Sequence, residues 1–276
     1  MTDSNGNGRA RIADAFNNAL NSRTAALMPY FTLGYPDRGT SLNIVEAIAA
    51  DSDLLELGIP FSDPLADGPT IQRSTQIALE NGTTVSGCLD MIRELRQRGV
   101  ETPVCLMGYY NPMLAYGLER FVEDAKTAGV QGFIVPDLPP EEAAQLDQLA
   151  AAAGLAYIYF LAPTSSLERI EQVTQQAAGF IYLVSVTGVT GARQALQSDL
   201  ADFVQRVRSR SAVPLAIGFG ISTPDQAASV AGLADGVIVG SALINAANSA
   251  QNKPEAASTF VKSLRDALSN QVRADG

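Results

Sequence analysis

The stretch that decides the fold is Ala26-Leu27-Met28-Pro29-Tyr30-Phe31-Thr32-Leu33-Gly34-Tyr35-Pro36, a largely apolar run that passes directly into a turn. Residues 26–32 do not alternate between polar and apolar, which is typical of a parallel strand buried on both faces. An open doubly wound sheet would normally carry a GxGxxG turn after its first strand, and residues 33–36 do not have one. The stretch therefore favours a closed barrel.

Eight such runs recur along the chain, and segments with helical periodicity separate them. The predicted strands are Ala26–Thr32, Asp53–Leu57, Pro103–Met107, Gly132–Val135, Ala156–Leu161, Phe180–Val184, Val213–Ile217 and Gly236–Val239. Helical spacing is clear in Leu42–Ala49, Leu118–Ala125, Leu146–Ala153, Leu200–Val207 and Val261–Leu268. We expect residues 1–276 to form one α/β domain, a (β/α)8 TIM barrel.

The residues before the first strand predict one further element. Ile12, Phe16 and Leu20 lie at helical spacing, which predicts an extra N-terminal helix that closes the bottom of the barrel. The first residues, about 1–8, are polar, which predicts a flexible N-terminus. They lack the apolar segment of a signal peptide. No run is long and apolar enough to span a bilayer. We expect a cytoplasmic protein that does not bind membranes.

The composition excludes several classes of function. With 19 Lys+Arg against 29 Asp+Glu the net charge is −10, which is unfavourable for binding nucleic acid or an anionic membrane. The absence of histidine excludes Ser-His-Asp triads and His-ligated zinc, and no other metal site is indicated. The three lysines, Lys126, Lys253 and Lys262, fall on or near outward helix positions, so a Schiff base is not expected.

The two cysteines carry little functional information. Cys88 and Cys105 are far apart and lack CxxC spacing, which is typical of reduced thiols in the core rather than of a disulfide framework or a metal site. Acid–base chemistry is therefore expected to use carboxylates or tyrosines.

Glu56 is the first candidate catalytic residue. It lies inside the apolar run Asp53–Leu57, where strand alternation puts Leu55 and Leu57 on one face and Glu56 on the other. If the leucines face the helices, Glu56 points into the barrel mouth, where burial should raise its pKa toward the range of a general acid or base. The alternative is an outward glutamate in a salt bridge.

The loop after this strand is long and contains two aspartates. Gly58–Thr70 carries three prolines, and long loops in compact domains tend to be functional. Asp63 and Asp67 each have a local alternative, as turn residues or at a helix N-terminus. For Asp63 the local role explains the residue at least as well as a functional one, and for Asp67 the composition alone does not decide between a local and a functional role.

Glycines follow the last two strands and predict a phosphate site. Gly218 and Gly220 come after the seventh strand, and Gly240 and Ser241 after the eighth. In TIM barrels these loops, together with a helix N-terminus, bind phosphate through backbone N–H groups. The alternative is that the glycines only permit tight turns.

The sixth strand and its loop add a tyrosine and a candidate lid. Tyr182 could donate a hydrogen bond to a substrate or to Glu56, or be an ordinary core residue. Gly188 and Gly191 are spaced like hinges in residues 185–193, which indicates a lid that could approach a phosphate; a plain disordered connection is the alternative.

Four motifs carry a family resemblance. They are Leu55–Gln72, Pro136-Asp137-Leu138-Pro139, Tyr182–Ser185 with Gly188–Gly191, and Gly218-Phe219-Gly220-Ile221, and they occur in order over most of the chain. With them the chain closely resembles the tryptophan synthase alpha chain family. The first motif is long and specific, whereas the glycine motifs are shared with other phosphate-binding barrels.

The resemblance implies a lyase that splits indole-3-glycerol phosphate into indole and D-glyceraldehyde 3-phosphate by a retro-aldol reaction. It assigns proton transfer to Glu56 and stabilisation of the indole ring to Asp67. It implies an indole pocket with Tyr30, Leu106 and Tyr182.

The implied phosphate site contains Gly191, Gly220, Gly240 and Ser241. Tyr30 stands where some members have phenylalanine and Val186 where some have arginine, so pocket polarity and lid closure do not carry over.

The resemblance also implies a partner, a pyridoxal-phosphate beta chain that receives indole in an α2β2 assembly, with no cofactor in this chain. The reaction suits these residues, because an indole ring protonated at C3 accepts the electrons that a Schiff base or a metal would otherwise take. The alternatives are a stand-alone indole-3-glycerol-phosphate lyase, a non-catalytic phosphate-sugar-binding subunit, and another phosphate-binding barrel enzyme.

Overall fold

The computed structural model describes residues 7–184, 193–218 and 220–269. Eight parallel strands form a closed barrel in which each strand pairs with the next along the chain. The ring closes where Ala26–Pro29 of the first strand pair with Gly236–Val239 of the last. The predicted fold class, a (β/α)8 barrel, is therefore confirmed.

The strands form the inner layer and the helices surround them. The strands are β1 Ala26–Thr32, β2 Leu55–Gly58, β3 Val104–Met107, β4 Gly132–Ile134, β5 Ala156–Leu161, β6 Ile181–Val184, β7 Leu215–Gly218 and β8 Gly236–Val239. The helices are α1 Gly8–Asn21, α2 Arg38–Ala49, α3 Pro69–Glu80, α4 Val85–Gln97, α5 Tyr110–Tyr116, α6 Leu118–Ala128, α7 Ala144–Ala152, α8 Leu167–Gln176, α9 Arg193–Arg208, α10 Pro224–Ala231, α11 Ser241–Asn248 and α12 Lys253–Ser269. No helix among these is long and apolar enough to cross a bilayer.

The extra N-terminal helix closes the bottom of the barrel, as predicted. Phe16 of α1 packs against Phe180, with 5.5 Å between ring centroids, and a Cβ on Gly236 would lie 2.9 Å from the Phe16 ring. Leu20 is 54% exposed near the end of α1, so it does not share in this contact. The helix begins at Gly8, within the stretch assigned from the sequence to a flexible terminus.

At the N-terminal edge of the barrel, a side chain just before the second strand of a pair accepts a hydrogen bond from a backbone N–H of the first strand. An arginine donates to the same side-chain oxygen. This arrangement is found for three strand pairs, β1/β2, β3/β4 and β7/β8. Asp53 accepts from Leu27 N (2.7 Å) and Arg265 (2.5 Å), Gln131 accepts from Val104 N (2.7 Å) and Arg96 (2.9 Å), and Asp235 accepts from Leu215 N (2.9 Å) and Arg208 (3.1 Å). These acceptors satisfy backbone N–H groups that would otherwise be unpaired at the barrel edge.

Removing the acceptor at β1/β2 should destabilise the barrel. We expect Asp53→Ala to lower the free energy of unfolding by about 2–4 kcal/mol, because it leaves the Leu27 N–H without its acceptor and removes the carboxylate from the partly buried Arg265, which among the described residues keeps only its bonds to the Asp51 carbonyl. Urea denaturation measures the change. Glu141→Ala, which breaks an exposed pair with Arg169, is the control and should cost less than about 1 kcal/mol. Equal losses in the two variants would contradict the role of Asp53.

Candidate active site

Glu56 lies on the inner face of the barrel. In the parallel register it pairs with Tyr30 of β1 and Cys105 of β3, while Leu55 and Leu57 occupy the opposite face of β2. Its side chain is 1% exposed, and its Oε2 atom has no hydrogen-bond partner among the described residues. The alternative of an outward glutamate in a salt bridge is therefore wrong.

Burial and a neighbouring charge change the acidity of Glu56. Desolvation raises its pKa to about 8, and the negative charge of Asp67 adds to the same shift. The predicted rise in pKa is confirmed in direction. Near pH 7 most of the Glu56 carboxyl is therefore protonated and can donate a proton.

Asp67 lies in the loop between β2 and α3, just before the helix begins. Its Oδ2 accepts a hydrogen bond of 3.1 Å from the Tyr109 hydroxyl, which in turn accepts one of 2.9 Å from the Ala66 N–H. Burial raises the pKa of Asp67 to about 6, and the Tyr109 hydrogen bond opposes the rise. Asp67 therefore remains mostly ionised at neutral pH, when Glu56 is mostly protonated.

Tyr109 was not identified from the sequence. It comes two residues after β3, at the end of the strand where active-site residues of such barrels lie, and this position could have indicated it. Its ring packs on Phe61 of the long loop, with 5.4 Å between centroids. Asp63 of the same loop is exposed and accepts a hydrogen bond from the neighbouring Ser62, as the local alternative predicts.

Two buried tyrosines flank the inner space above Glu56. A Cβ on Gly58 would lie 2.2 Å from the Tyr30 hydroxyl, and one on Gly218 would lie 2.1 Å from the Tyr182 hydroxyl. Each ring thus extends over a strand-end glycine of the next strand, and only glycine leaves room for it. Tyr182 also packs on Phe160, with 4.7 Å between centroids.

Leu106, assigned to the pocket from the family resemblance, lies on the other face of the barrel wall. It pairs in register with Leu57, whereas Cys105 and Met107 pair with Glu56 and Gly58. Because side chains alternate along a strand, Leu106 points toward the helices and Met107 toward the interior. Met107 therefore replaces Leu106 as the β3 candidate.

The candidate phosphate ligands lie at the C-terminal edge of β7 and β8. Gly220 follows β7 with a positive φ of 78°, and Gly240 precedes α11, whose first residue is Ser241. The first intrahelical bond of α11 runs from Ile244 N to Gly240 O, so the preceding N–H groups have no partner within the helix. Gly191, together with Gly188 and Val186 of the candidate lid, lies outside the described residues.

The remaining reactive groups are remote or buried. Lys126 and Lys262 are exposed on helices, and Lys253 is half-buried at the start of α12. Both cysteines are reduced and buried; the Cys105 thiol, with a pKa raised by burial and by Glu56, lies beside the candidate catalytic residue. Within the described part of the chain, no group of three acidic or cysteine side chains is arranged to hold a metal.

Known proteins resemble this chain over nearly its whole length. The family described as the tryptophan synthase alpha chain matches residues 16–273. The alpha chain of Chloroflexus aurantiacus is 56% identical over 237 residues, which are 86% of this chain and 89% of that protein. The alpha chain of Geobacter sulfurreducens is 48% identical over 264 residues, which are 95% of this chain and 100% of that protein.

Solved structures agree with the sequence relatives. Tryptophan synthase subunit alpha from Legionella pneumophila superposes with a TM-score of 0.88 at 39% identity, covering 95% of this chain and 99% of that one. The aminoacrylate-bound tryptophan synthase from M. tuberculosis gives 0.85 at 33% identity, covering 94% of this chain and 99% of that one. The sequence and structural matches both extend over nearly all of the molecule, and the chain belongs to the tryptophan synthase alpha chain family.

Proposed function

We propose that this chain is a lyase that cleaves indole-3-glycerol phosphate to indole and D-glyceraldehyde 3-phosphate in tryptophan biosynthesis. The observation that carries the proposal is the buried Glu56 carboxyl on the inner face of β2, followed in the next loop by Asp67, whose Oδ2 is held by Tyr109 while its Oδ1 has no partner among the described residues. Burial raises the pKa of Glu56 to about 8 and that of Asp67 to about 6, which separates the two groups into an acid and an anion. One group can donate a proton and the other can stabilise positive charge, and this reaction needs both.

In the proposed reaction Glu56 first acts as an acid. Its carboxyl donates a proton to C3 of the indole ring, and the ring becomes a cation whose charge is centred on the nitrogen. Asp67 accepts a hydrogen bond from the ring N–H and stabilises this cation in a site with little water. Tyr109 holds one oxygen of Asp67, while Oδ1, buried and without a partner among the described residues, is available to the ring N–H.

The Glu56 carboxylate then acts as a base. It removes the proton from the hydroxyl on the carbon attached to C3, and that carbon becomes the aldehyde of glyceraldehyde 3-phosphate. The bond to C3 breaks and its electron pair returns to the ring, which leaves as neutral indole. Glu56 regains its proton, so the cycle closes without a cofactor in this chain.

We assign the rest of the substrate to the two sides of the barrel mouth. Tyr30, Tyr182 and Met107 would enclose the indole ring. The phosphate would bind to backbone N–H groups at Gly220, Gly240 and Ser241, at the N-terminus of α11, with Gly191 approaching from the sixth loop. Local N–H groups suit a chain of net charge −10, whose overall field repels a phosphate.

An assay for indole tests the proposal directly. We expect the purified chain to release indole from indole-3-glycerol phosphate, and Glu56→Gln to lower kcat by at least about 10²-fold, because an amide transfers no proton. The isosteric change keeps the shape of the site. Ser263→Ala, on α12, is the control. No indole from the wild type, or nearly full activity in Glu56→Gln, would refute the assignment.

The two pKa values predict a bell-shaped pH dependence of kcat/KM. Activity should fall below about pH 6 as Asp67 gains a proton, and above about pH 8 as Glu56 loses one. Asp67→Asn should abolish the acidic limb and move the alkaline limb to lower pH, because the charge that raises the pKa of Glu56 is gone. An alkaline limb that does not move would show that Asp67 does not act on Glu56.

We also propose that the chain works as the alpha subunit of a cytoplasmic α2β2 complex with a beta chain that holds pyridoxal phosphate. Next to the Asp67 loop a cavity of about 470 Å³ is lined by Phe61, Leu65, Tyr109 and Pro136, among others. Leu65 is 92% exposed at its rim. A loop that exposes a large apolar side chain beside the site is a suitable docking surface for a partner that takes up indole.

Mixing the chain with a tryptophan synthase beta chain tests this partner. We expect a higher rate of indole formation and an earlier elution volume in size-exclusion chromatography. Leu65→Asp should weaken both effects and leave the rate of the isolated chain within about twofold, because Leu65 is a fully exposed residue outside the reaction space. An unchanged rate and elution volume of the wild type would favour a stand-alone lyase.

A further inference from the structure

A chain of buried hydroxyl groups connects β1 to the helix that follows Asp67. The Tyr30 hydroxyl lies 3.2 Å from Thr32 Oγ1, which lies 2.7 Å from Ser74 Oγ, and Ser74 bonds the Ile71 carbonyl at 2.8 Å. Tyr30, Thr32 and Ser74 are all buried. We call this set the hydroxyl relay.

The direction of the relay follows from the number of protons. The Ile71 carbonyl can only accept, so the single proton of Ser74 is used there. Ser74 must then accept from Thr32, and Thr32 from Tyr30. Each hydroxyl therefore donates toward α3 and accepts from the β1 side. Hydrogen bonds in such a chain polarise one another, so each one is stronger in a buried setting.

One end of the relay lies beside Glu56, and the other lies on the helix that follows Asp67. Tyr30 pairs in register with Glu56, and its hydroxyl lies over Gly58 on the same strand. Ser74 lies in α3, which begins two residues after Asp67, and Gln72 of this helix donates to the Asp67 carbonyl at 2.9 Å. The relay therefore spans the interval between the strand of Glu56 and the segment of Asp67.

We propose that Thr32 and Ser74 are positioning residues that keep Asp67 at the distance from Glu56 that the reaction requires; this inference rests on the proposed function. The relay supplies buried polar bonds between β1 and α3 that fix the position of this helix along the strand, in addition to its packing on α11 and the Asn81 bond to the Pro36 carbonyl. Tyr109 holds the Asp67 side chain, and the relay fixes the helix to which its backbone is joined. The oriented relay also leaves the Tyr30 oxygen as an acceptor, so this side of the pocket favours a substrate group that donates a hydrogen bond.

Loss of the relay should lower the pKa of Glu56. The titratable groups facing Glu56 are Tyr30 from β1, Asp67 after β2, Cys105 from β3 and Tyr182 from β6, and ionised Asp67 has the largest effect among them. A displaced Asp67 repels the Glu56 carboxylate less, and water entering the gap stabilises that carboxylate. Both changes act in the same direction.

The test compares Thr32→Val and Ser74→Ala with Thr32→Ser. The first two remove a hydroxyl, and valine keeps the shape of threonine; serine keeps the hydroxyl and loses a methyl group. We expect kcat for indole release to fall about tenfold in the first two with KM within about twofold, and less in Thr32→Ser, because misplacement of a catalytic group affects mainly the transition state. Ser263→Ala removes a matched serine, bonded to the carbonyl three residues before it, without a relay.

Carbon-13 NMR titration of the Glu56 carboxyl in the same full-length variants gives a readout that does not need turnover. The pKa of Glu56 should be lower in Thr32→Val and Ser74→Ala than in the wild type and Ser263→Ala. If the wild type releases no indole, the proposed function fails while the titration still decides the relay. Wild-type pKa and kcat in Thr32→Val, or an equal loss in Thr32→Ser, would overturn the relay.

Discussion

Two carboxyl groups share one buried space, and the site depends on this constraint. Because the charge of Asp67 reaches Glu56, the two do not both ionise near neutral pH, and one proton stays on the more buried group. Asp67 is the less buried of the two, and the Tyr109 hydrogen bond opposes the rise of its pKa, so Asp67 is the member that ionises first. A chain without histidine thereby holds both an acid and an anion at pH 7, and each role follows from burial and neighbours rather than from residue type.

The two ends of the barrel have different tasks. The N-terminal edge carries three acceptor and arginine sets that satisfy strand N–H groups, and none of their side chains faces Glu56. The C-terminal edge carries Glu56, Asp67 and the first N–H groups of α11, which have no partner within the helix. Loops at this edge can change without loss of the contacts that hold the strands together, which is the general advantage of this fold for catalysis.

Periodicity was sufficient for the fold, and the bounds of β1, β5 and β8 agree with the predicted ones. Strand β2 begins at Leu55, two residues after the predicted start, and Asp53 instead accepts hydrogen bonds from Leu27 N and Arg265, contacts that no local pattern contains. The face of Leu106 depends on register with β2, and a one-residue difference reverses the face in a strand of four residues.

The roles of Tyr109 and Ser74 could be recognised only from the structure, because each contacts a residue that lies 42 positions away in the chain. The buried position of Glu56 inside an apolar strand was predictable, whereas the residues that hold Asp67 and its helix were not. The Asp53–Arg265 contact spans 212 residues, so this carboxylate is made early in synthesis and its partner very late. While the chain is still on the ribosome, the first strands must persist without the ring closure of β8 on β1. During this period the edges of the early strands are exposed, and it is then that the chain most needs protection from aggregation.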